Sequence, residues 1–179
     1  MAFDLLSTTQ NYLVVSTTGG SVLRNQEPLV VSTIQRFLRL IPLSSVPHES
    51  AEYEVWLDEH TARMLAAMRS KVRPWGTARK ALNLFMRACI CDHHLRTAHA
   101  LERAEPWAEV PLDSIVAKAL KRAAGRGCLP QWPGLKRLTP DANASFQAFA
   151  LKHTAELGLR SRIFLDYVLW LEGRTPPPR

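Results

Sequence analysis

The sequence predicts a mostly α-helical (all-α) fold, and three observations support this prediction. Apolar residues recur at helical spacing along most of the chain, and the breaks between these runs carry helix-capping residues, prolines and glycines. The chain has 179 residues, of which 46% are hydrophobic and 22% are charged. This composition is typical of a globular domain with a real core. We therefore expect one compact domain over residues 1–179, with about six helices.

The N-terminal part of the chain has the weakest pattern. Residues 1–27 are polar and glycine-containing, so we expect an irregular segment in which Tyr12–Val15 forms a short strand or one buried turn. A helix is expected from Pro28, where apolar residues begin to recur at helical spacing. The next helix follows Ser50, carries acidic residues near its start, and should end before Pro74.

The later helices have clearer boundaries. One apolar helix is expected over about residues 76–101, and a shorter one follows Asp113. Thr139 stands before a proline, which is the expected order of an N-cap and a first helical residue. A last apolar helix holds residues 163–170, and residues 173–179, with three prolines, are expected to form a loose tail.

Charge and cysteine content restrict the class of protein. The net charge is +7 and the isoelectric point is about 9.8, which favours a polyanionic partner such as nucleic acid. No apolar run approaches the ~20 residues that span a bilayer, so we expect no membrane partner. The start of the chain lacks the features of a signal peptide, and three cysteines argue against a disulfide framework. We expect a cytoplasmic protein that acts as a monomer.

The segment Lys71–Ala78 links two predicted helices through a tight turn. Backbone N–H groups at the start of a helix point outward and, with the helix dipole, hold phosphate well. Basic side chains in and beside the turn add mobile positive charge. This arrangement predicts a helix-hairpin-helix element that grips DNA through a set of six residues: Lys71, Arg73, Trp75, Gly76, Ala78 and Arg79.

The same region offers a nucleophile and a carboxylate. Lys80 lies at the entry to the apolar helix, and Asp113 lies at the entry to the following one. An uncharged lysine amine can attack a sugar carbon, and an aspartate can assist that attack. Two other interpretations remain open, because Lys80 would also suit a solvated helix position and Asp113 would also suit an N-cap.

Gly76–Asn83 and Val110–Val116 together resemble two landmarks of the helix-hairpin-helix DNA glycosylase superfamily, which includes endonuclease III and the 8-oxoguanine glycosylases. Ala78 stands where the hairpin of that family usually has a second glycine. The resemblance implies that Lys80 is the nucleophile and Asp113 the catalytic carboxylate of a bifunctional glycosylase and AP lyase. The implied substrate is a flipped base in double-stranded DNA, and the chemistry requires no cofactor.

The spacing and the C-terminus extend this resemblance. The two residues are 33 positions apart (113 − 80), which is closest to the archaeal 8-oxoguanine glycosylase branch and favours oxidised guanine. Leu165–Trp170 also resembles the closing helix of small archaeal members. Trp170 is therefore a candidate wall of the base pocket, with a core position as the alternative. Another damaged base or a modified phage base remains as an alternative.

Two other function classes remain as alternatives. The first is a non-enzymatic helix-hairpin-helix DNA-binding module, in which Lys80 would contact phosphate. The second is a metal-dependent nuclease that uses Cys89, His93 or nearby acids. Cys89 and His93 share a helix face, but no second ligand cluster accompanies them, so we expect no metal site.

Overall fold

The computed structural model describes residues 4–19, 23, 26–68 and 74–172. In these ranges the chain forms helices and turns, and no β-strand is present. The prediction of a mostly helical fold is therefore confirmed. The α-helices are α1 (Leu5–Thr18), α2 (Pro28–Arg39), α3 (Ser50–Ala67), α4 (Trp75–Cys91), α5 (His93–Ala98), α6 (Ser114–Ala124), α7 (Pro140–Glu156) and α8 (Arg162–Glu172). Short 3₁₀ turns lie at Leu43–Ser45, Leu101–Arg103, Glu105–Trp107 and Leu135–Arg137.

The expectation of an irregular segment over residues 1–27 is wrong for α1. Asp4 caps this helix by accepting a hydrogen bond from the Ser7 N–H at 3.2 Å. Tyr12–Val15 lies inside the helix and forms neither a strand nor a single turn. Threonine and valine have modest helix propensity, so the local pattern was weak. The helix packs on α2 and α4, and this tertiary packing outweighs the weak propensity.

The apolar helix predicted over residues 76–101 is interrupted. Helix α4 ends at Cys91, because Asp92 adopts an extended backbone with ψ of 125°. The Asp92 side chain then accepts a hydrogen bond from the Leu95 N–H at 2.9 Å and starts α5. Asp92 is thus a C-cap for one helix and an N-cap for the next.

Both predicted N-caps in the C-terminal half are confirmed. Asp113 Oδ1 accepts hydrogen bonds from the backbone N–H groups of Ile115 and Val116, at 2.8 and 3.0 Å. Thr139 Oγ1 accepts one from Ala142 N–H at 3.3 Å. The start of α6 is therefore fixed by the same aspartate that the sequence singled out for its chemistry.

Two clusters of buried apolar side chains form the core. The first gathers residues from α1 to α5, among them Val14, Ile34, Met64 and Phe85. The second gathers residues from α6 to α8, among them Val116, Leu120, Phe146 and Leu165. Helix α4 is largely buried and also contacts α7 and the turn Leu135–Arg137, so it lies where the two clusters meet. None of the helices in the described ranges combines the length and hydrophobicity that crossing a bilayer requires.

Candidate active site

The structure brings Lys80 and Asp113 together. Lys80 lies in the second turn of α4, and Asp113 precedes the first residue of α6. Their side chains form an ion pair with 3.5 Å between Lys80 Nζ and Asp113 Oδ2. The lysine side chain is 11% exposed and the aspartate side chain 26% exposed. Two residues that are 33 positions apart in sequence (113 − 80) thus face each other in a half-buried site.

The two carboxylate oxygens of Asp113 have different roles. Oδ1 accepts the two N–H groups that cap α6, whereas Oδ2 faces the Lys80 amine. The capping bonds fix the carboxylate against rotation. The capping interpretation and the catalytic interpretation of Asp113 are therefore compatible.

The surroundings of Lys80 shift its protonation equilibrium towards the uncharged amine. Burial lowers the pKa of the Lys80 amine, and the positive charge of Arg87 lowers it further, while Asp113 acts in the opposite direction. The net effect is a pKa below the ordinary value of 10.5. The cation that acts on Lys80 is Arg87, two turns further along α4, and not Arg79, its neighbour in sequence.

Lys80 and Asp113 lie in the wall of a cavity of about 430 Å³. This volume falls in the range of roughly 300–1,000 Å³ that is typical of small-molecule sites. The wall combines apolar and charged side chains from α4, the segment before α6, and α8: Lys80, Leu84, Arg87, Pro111, Asp113, Asp166, Tyr167, Trp170 and Leu171.

Helix α8 provides the wall opposite α4. Asp166 forms an ion pair with Arg87 Nη1, and both side chains are largely buried. The Arg87 guanidinium also lies over the Tyr167 ring, 4.8 Å from its centre. Trp170 follows one turn later and is 37% exposed, so one part of the indole borders the cavity and another part borders solvent. The structure thus places Trp170 in the wall of the cavity that Lys80 and Asp113 also line.

Sequence reasoning missed several residues of this cavity. Leu84 and Arg87 are four and seven positions after Lys80, which places them on the same face of a helix. That spacing was a usable signal. Asp166 and Trp170 share a face of α8 for the same reason, but nothing local indicated that this face would lie against Lys80.

The structure buries three of the predicted DNA-gripping residues of α4: Gly76, Ala78 and Arg79. Gly76 packs against the turn Leu135–Arg137, where a Cβ would collide with the Leu135 carbonyl oxygen and lie 2.7 Å from Leu138 Cβ. Ala78 is fully buried. Lys71 and Arg73 lie outside the described residues, whereas residues 74–78 of the predicted hairpin are described.

Arg79 is the clearest departure from the sequence prediction. Only 3% of the residue is exposed. Its Nε and Nη2 donate to the two carboxylate oxygens of Glu109 at 2.8 and 2.9 Å, and its Nη1 donates to Asp58 at 2.9 Å. Asn83 and Asn143 also donate to Glu109. With its charge compensated and its guanidinium buried, Arg79 stabilises the fold and does not reach a DNA phosphate in this arrangement.

Trp75 lies beside Arg79 and not beside Lys80. Its ring is partly buried, with the Arg79 guanidinium 5.5 Å from its centre. Both residues line a separate cavity of about 440 Å³, to which neither Lys80 nor Asp113 contributes. Trp107 donates to the His48 carbonyl oxygen at 2.8 Å, and Trp132 packs edge-on against Phe146. We therefore assign these three tryptophans no role in the Lys80 cavity.

The cysteine and histidine pair of α4 and α5 does not form a cluster. Cys89 is fully buried, and burial raises the pKa of its thiol well above the ordinary value. His93 is exposed, with its ring beside that of His94. Among residues 4–19, 23, 26–68 and 74–172, no group of three or more histidine, cysteine or acidic side chains is arranged to hold a metal ion.

Comparison with known protein families, with curated proteins and with solved structures finds no match for this chain.

Proposed function

We propose that the protein is a DNA glycosylase with associated AP lyase activity, which acts as a monomer on a damaged or modified base in double-stranded DNA. The observation that carries this proposal is the Lys80–Asp113 pair in the wall of a nucleotide-sized cavity. The resemblance of the surrounding sequence to the helix-hairpin-helix glycosylases assigns to these two residues the roles of nucleophile and carboxylate.

The state of Lys80 suits nucleophilic attack. An amine attacks only when it is unprotonated, and the lowered pKa of Lys80 increases that fraction near neutral pH. The adjacent Asp113 carboxylate keeps a negative charge where the reaction develops a cationic sugar. Lys80 is held in the second turn of α4 and Asp113 at the N-cap of α6, so little rearrangement is needed to place them.

The reaction would proceed on an extruded nucleotide. Lys80 Nζ forms a bond to the anomeric carbon, and the bond from that carbon to the base breaks with its electron pair on the base. Asp113 stabilises the positive charge that develops on the sugar and takes part in proton transfer. The sugar ring opens to an imine with Lys80, and β-elimination then breaks the bond to the 3′ phosphate oxygen. None of these reaction steps requires a cofactor.

The walls of the cavity suit a planar base. Trp170 and Leu84 supply apolar surface on opposite helices, and Asp166 and Arg87 supply an acceptor and a donor between them. Oxidised guanine is the substrate that the resemblance favours. A different damaged base or a modified phage base would also meet these walls.

Two alternatives lead to different experimental results. A non-enzymatic helix-hairpin-helix DNA-binding module would bind duplex DNA without ever forming a covalent intermediate. A metal-dependent nuclease using Cys89, His93 or nearby acids would cleave DNA and lose that activity in a chelator.

The deciding experiment is borohydride trapping of the imine on a duplex that contains an abasic site. We expect the wild-type protein to form a trapped complex in the presence of a chelator, and Lys80→Gln to form none. Lys80→Gln should still bind the duplex, within about twofold of wild type, since it removes only one half-buried charge.

Lys152→Gln is the matched control, because it also removes one lysine charge but at a position that is 74% exposed on α7. It should trap like wild type. Retained trapping in Lys80→Gln would place the nucleophile elsewhere, for example at Lys71. Duplex binding by wild type without trapping would favour the DNA-binding module.

A further inference from the structure

The positive charge of the chain is concentrated in one segment. Residues 114–138 contain no aspartate or glutamate and six basic residues: Lys118, Lys121, Arg122, Arg126, Lys136 and Arg137. This segment therefore contributes +6, while the whole chain of 179 residues has a net charge of only +7. The remaining residues are nearly neutral in sum, so a polyanion would be attracted mainly to this segment.

These basic residues lie at the surface. Five of the six are exposed, and Lys121 is half-buried, with its amine 2.9 Å from the Gln131 side-chain oxygen. Lys118 and Arg122 are one turn apart on the exposed side of α6, opposite the buried Val116 and Leu120. Their charges therefore face solvent along the length of this helix.

Each end of the segment adjoins a part of the chain that carries one of the two site residues. The segment begins directly after Asp113, which lies in the cavity wall. Near its other end, the turn Leu135–Arg137 packs against Gly76, one turn before Lys80 on α4. Lys136 is in that turn, and Lys118 is little more than one turn from Asp113. The basic segment thus begins beside Asp113 and ends beside Gly76 in the first turn of α4.

We propose that the surface formed by residues 114–138 binds the phosphates of duplex DNA on either side of the extruded nucleotide. This inference rests on the function proposed above. Arg79 was expected to contact phosphate, but Glu109 and Asp58 already compensate its charge. The phosphate contacts are therefore assigned to residues 114–138, which the sequence motifs did not indicate.

The chemistry of the surface fits a duplex better than a single strand. Proteins that bind single strands combine basic side chains with exposed aromatic rings on which bases stack. The segment contains one aromatic residue, Trp132, and its ring packs edge-on against Phe146 in the core. A surface with lysine and arginine but without exposed aromatic rings is suited to duplex DNA, which presents phosphates and whose bases are paired.

The test compares two triple variants of equal charge. Lys118→Gln, Arg122→Gln and Lys136→Gln are combined in one protein, and Arg36→Gln, Arg39→Gln and Arg103→Gln in the control. The control residues are also exposed, but they lie on α2 and in the turn Leu101–Arg103, both of which pack in the first core cluster. Each triple lowers the net charge from +7 to +4 (7 − 3).

The measurement is the dissociation constant of a fluorescent duplex with an abasic site, over a series of salt concentrations, with circular dichroism to confirm folding. If each of the three side chains neutralises one phosphate, the slope of log K against log salt falls by roughly 2–3 in the first triple. The control triple should keep a slope within about 0.5 of wild type by the same reasoning.

The outcomes separate this inference from the function on which it rests. Equal slopes for the two triples, with wild-type trapping intact, would overturn the surface assignment and leave the glycosylase proposal standing. A wild-type protein that neither binds nor traps the abasic duplex would overturn both. Tighter binding to a single strand than to the duplex, lost in the first triple, would overturn the choice of duplex DNA.

Discussion

Asp113→Asn separates the two roles of this carboxylate better than any other substitution. Asparagine is nearly isosteric and keeps an oxygen in the place of Oδ1, which accepts the Ile115 and Val116 N–H groups. It replaces Oδ2, which faces Lys80 at 3.5 Å, with an amide that carries no charge. The Asn variant therefore keeps the helix cap but loses the negative charge beside Lys80.

The expected loss of stability is small. Asparagine and aspartate are about equally good N-caps. The ion pair with Lys80 is partly exposed, and pairs of this kind contribute about 0–1 kcal/mol. We therefore expect the unfolding free energy to fall by less than about 1 kcal/mol, or roughly 2–4 °C in Tm for a chain of this size. Asp113→Ala, which also removes the cap, should lose about 1 kcal/mol more.

The expected effect on activity is large, and its sign is informative. Asp113 raises the pKa of Lys80, so removing its charge increases the fraction of uncharged amine. If Asp113 were only a charge partner for Lys80, the variant would react faster near neutral pH. If it stabilises the cationic sugar and transfers protons, single-turnover base excision should fall by about 10²–10⁴-fold.

The assay is single-turnover excision from a duplex with one 8-oxoguanine, with thermal unfolding of the same preparation. A folded Asp113→Asn variant with excision within about twofold of wild type would refute a catalytic role and leave Asp113 as a helix cap. An unfolded variant would contradict the expected stability loss of less than about 1 kcal/mol and would show that the fold requires the Asp113 carboxylate.

The remaining predictions concern Arg87, the Arg79–Glu109 pair and Trp170. The trapping rate should rise with pH as Lys80 loses its proton. Arg87→Gln removes a charge that lowers the pKa of Lys80, so the midpoint of this pH profile should move to higher pH, whereas Arg87→Lys should leave it near wild type. An unchanged midpoint in both variants would contradict this prediction. Glu109→Gln should lower the unfolding free energy by about 3 kcal/mol, because it leaves the Arg79 charge buried. Asp58→Asn, which removes a 64% exposed partner of the same guanidinium, should lose less than about 1 kcal/mol in the same denaturant titration. Burial raises the pKa of Glu109, but Arg79 lowers it by more, so the native pKa lies below the ordinary value of 4.5. The stability advantage of the wild type over Glu109→Gln is therefore fully present above pH 4.5 and should shrink as the pH falls through the lower native pKa. Trp170→Ala should reduce base excision about tenfold, since stacking on one base contributes roughly 1–3 kcal/mol, while trapping on an abasic duplex, which has no base to stack, should be unchanged.

Local signals in the sequence were sufficient for the helix starts near the site. Asp113 and Thr139 cap their helices through hydrogen bonds to residues two or three positions later. Such interactions depend on the adjacent residues alone, so they are visible without a fold. The ordered pair of Lys80 and Asp113 was accessible for a related reason, since each residue is at a helix entry and each entry has its own local signature.

Tertiary structure determined what those signals could not. Helix α1 forms on the surface of α2 and α4 from residues of modest helix propensity. Arg79 and Lys80 are adjacent in sequence, yet successive residues of a helix point about 100° apart. One therefore meets Glu109 in the core and the other meets Asp113 at a cavity.

The wall opposite Lys80 shows the same limit over a longer range. Asp166 is 86 positions from Lys80 (166 − 80), and it reaches the cavity because α8 packs on α6 and α7. The sequence by itself determined the helical class, the caps and the choice of Lys80 and Asp113 as candidate site residues. The burial that lowers the pKa of Lys80, the choice of Arg87 over Arg79 as its cation, and the surface on which the basic residues gather depend on contacts between distant segments, which local pattern does not encode.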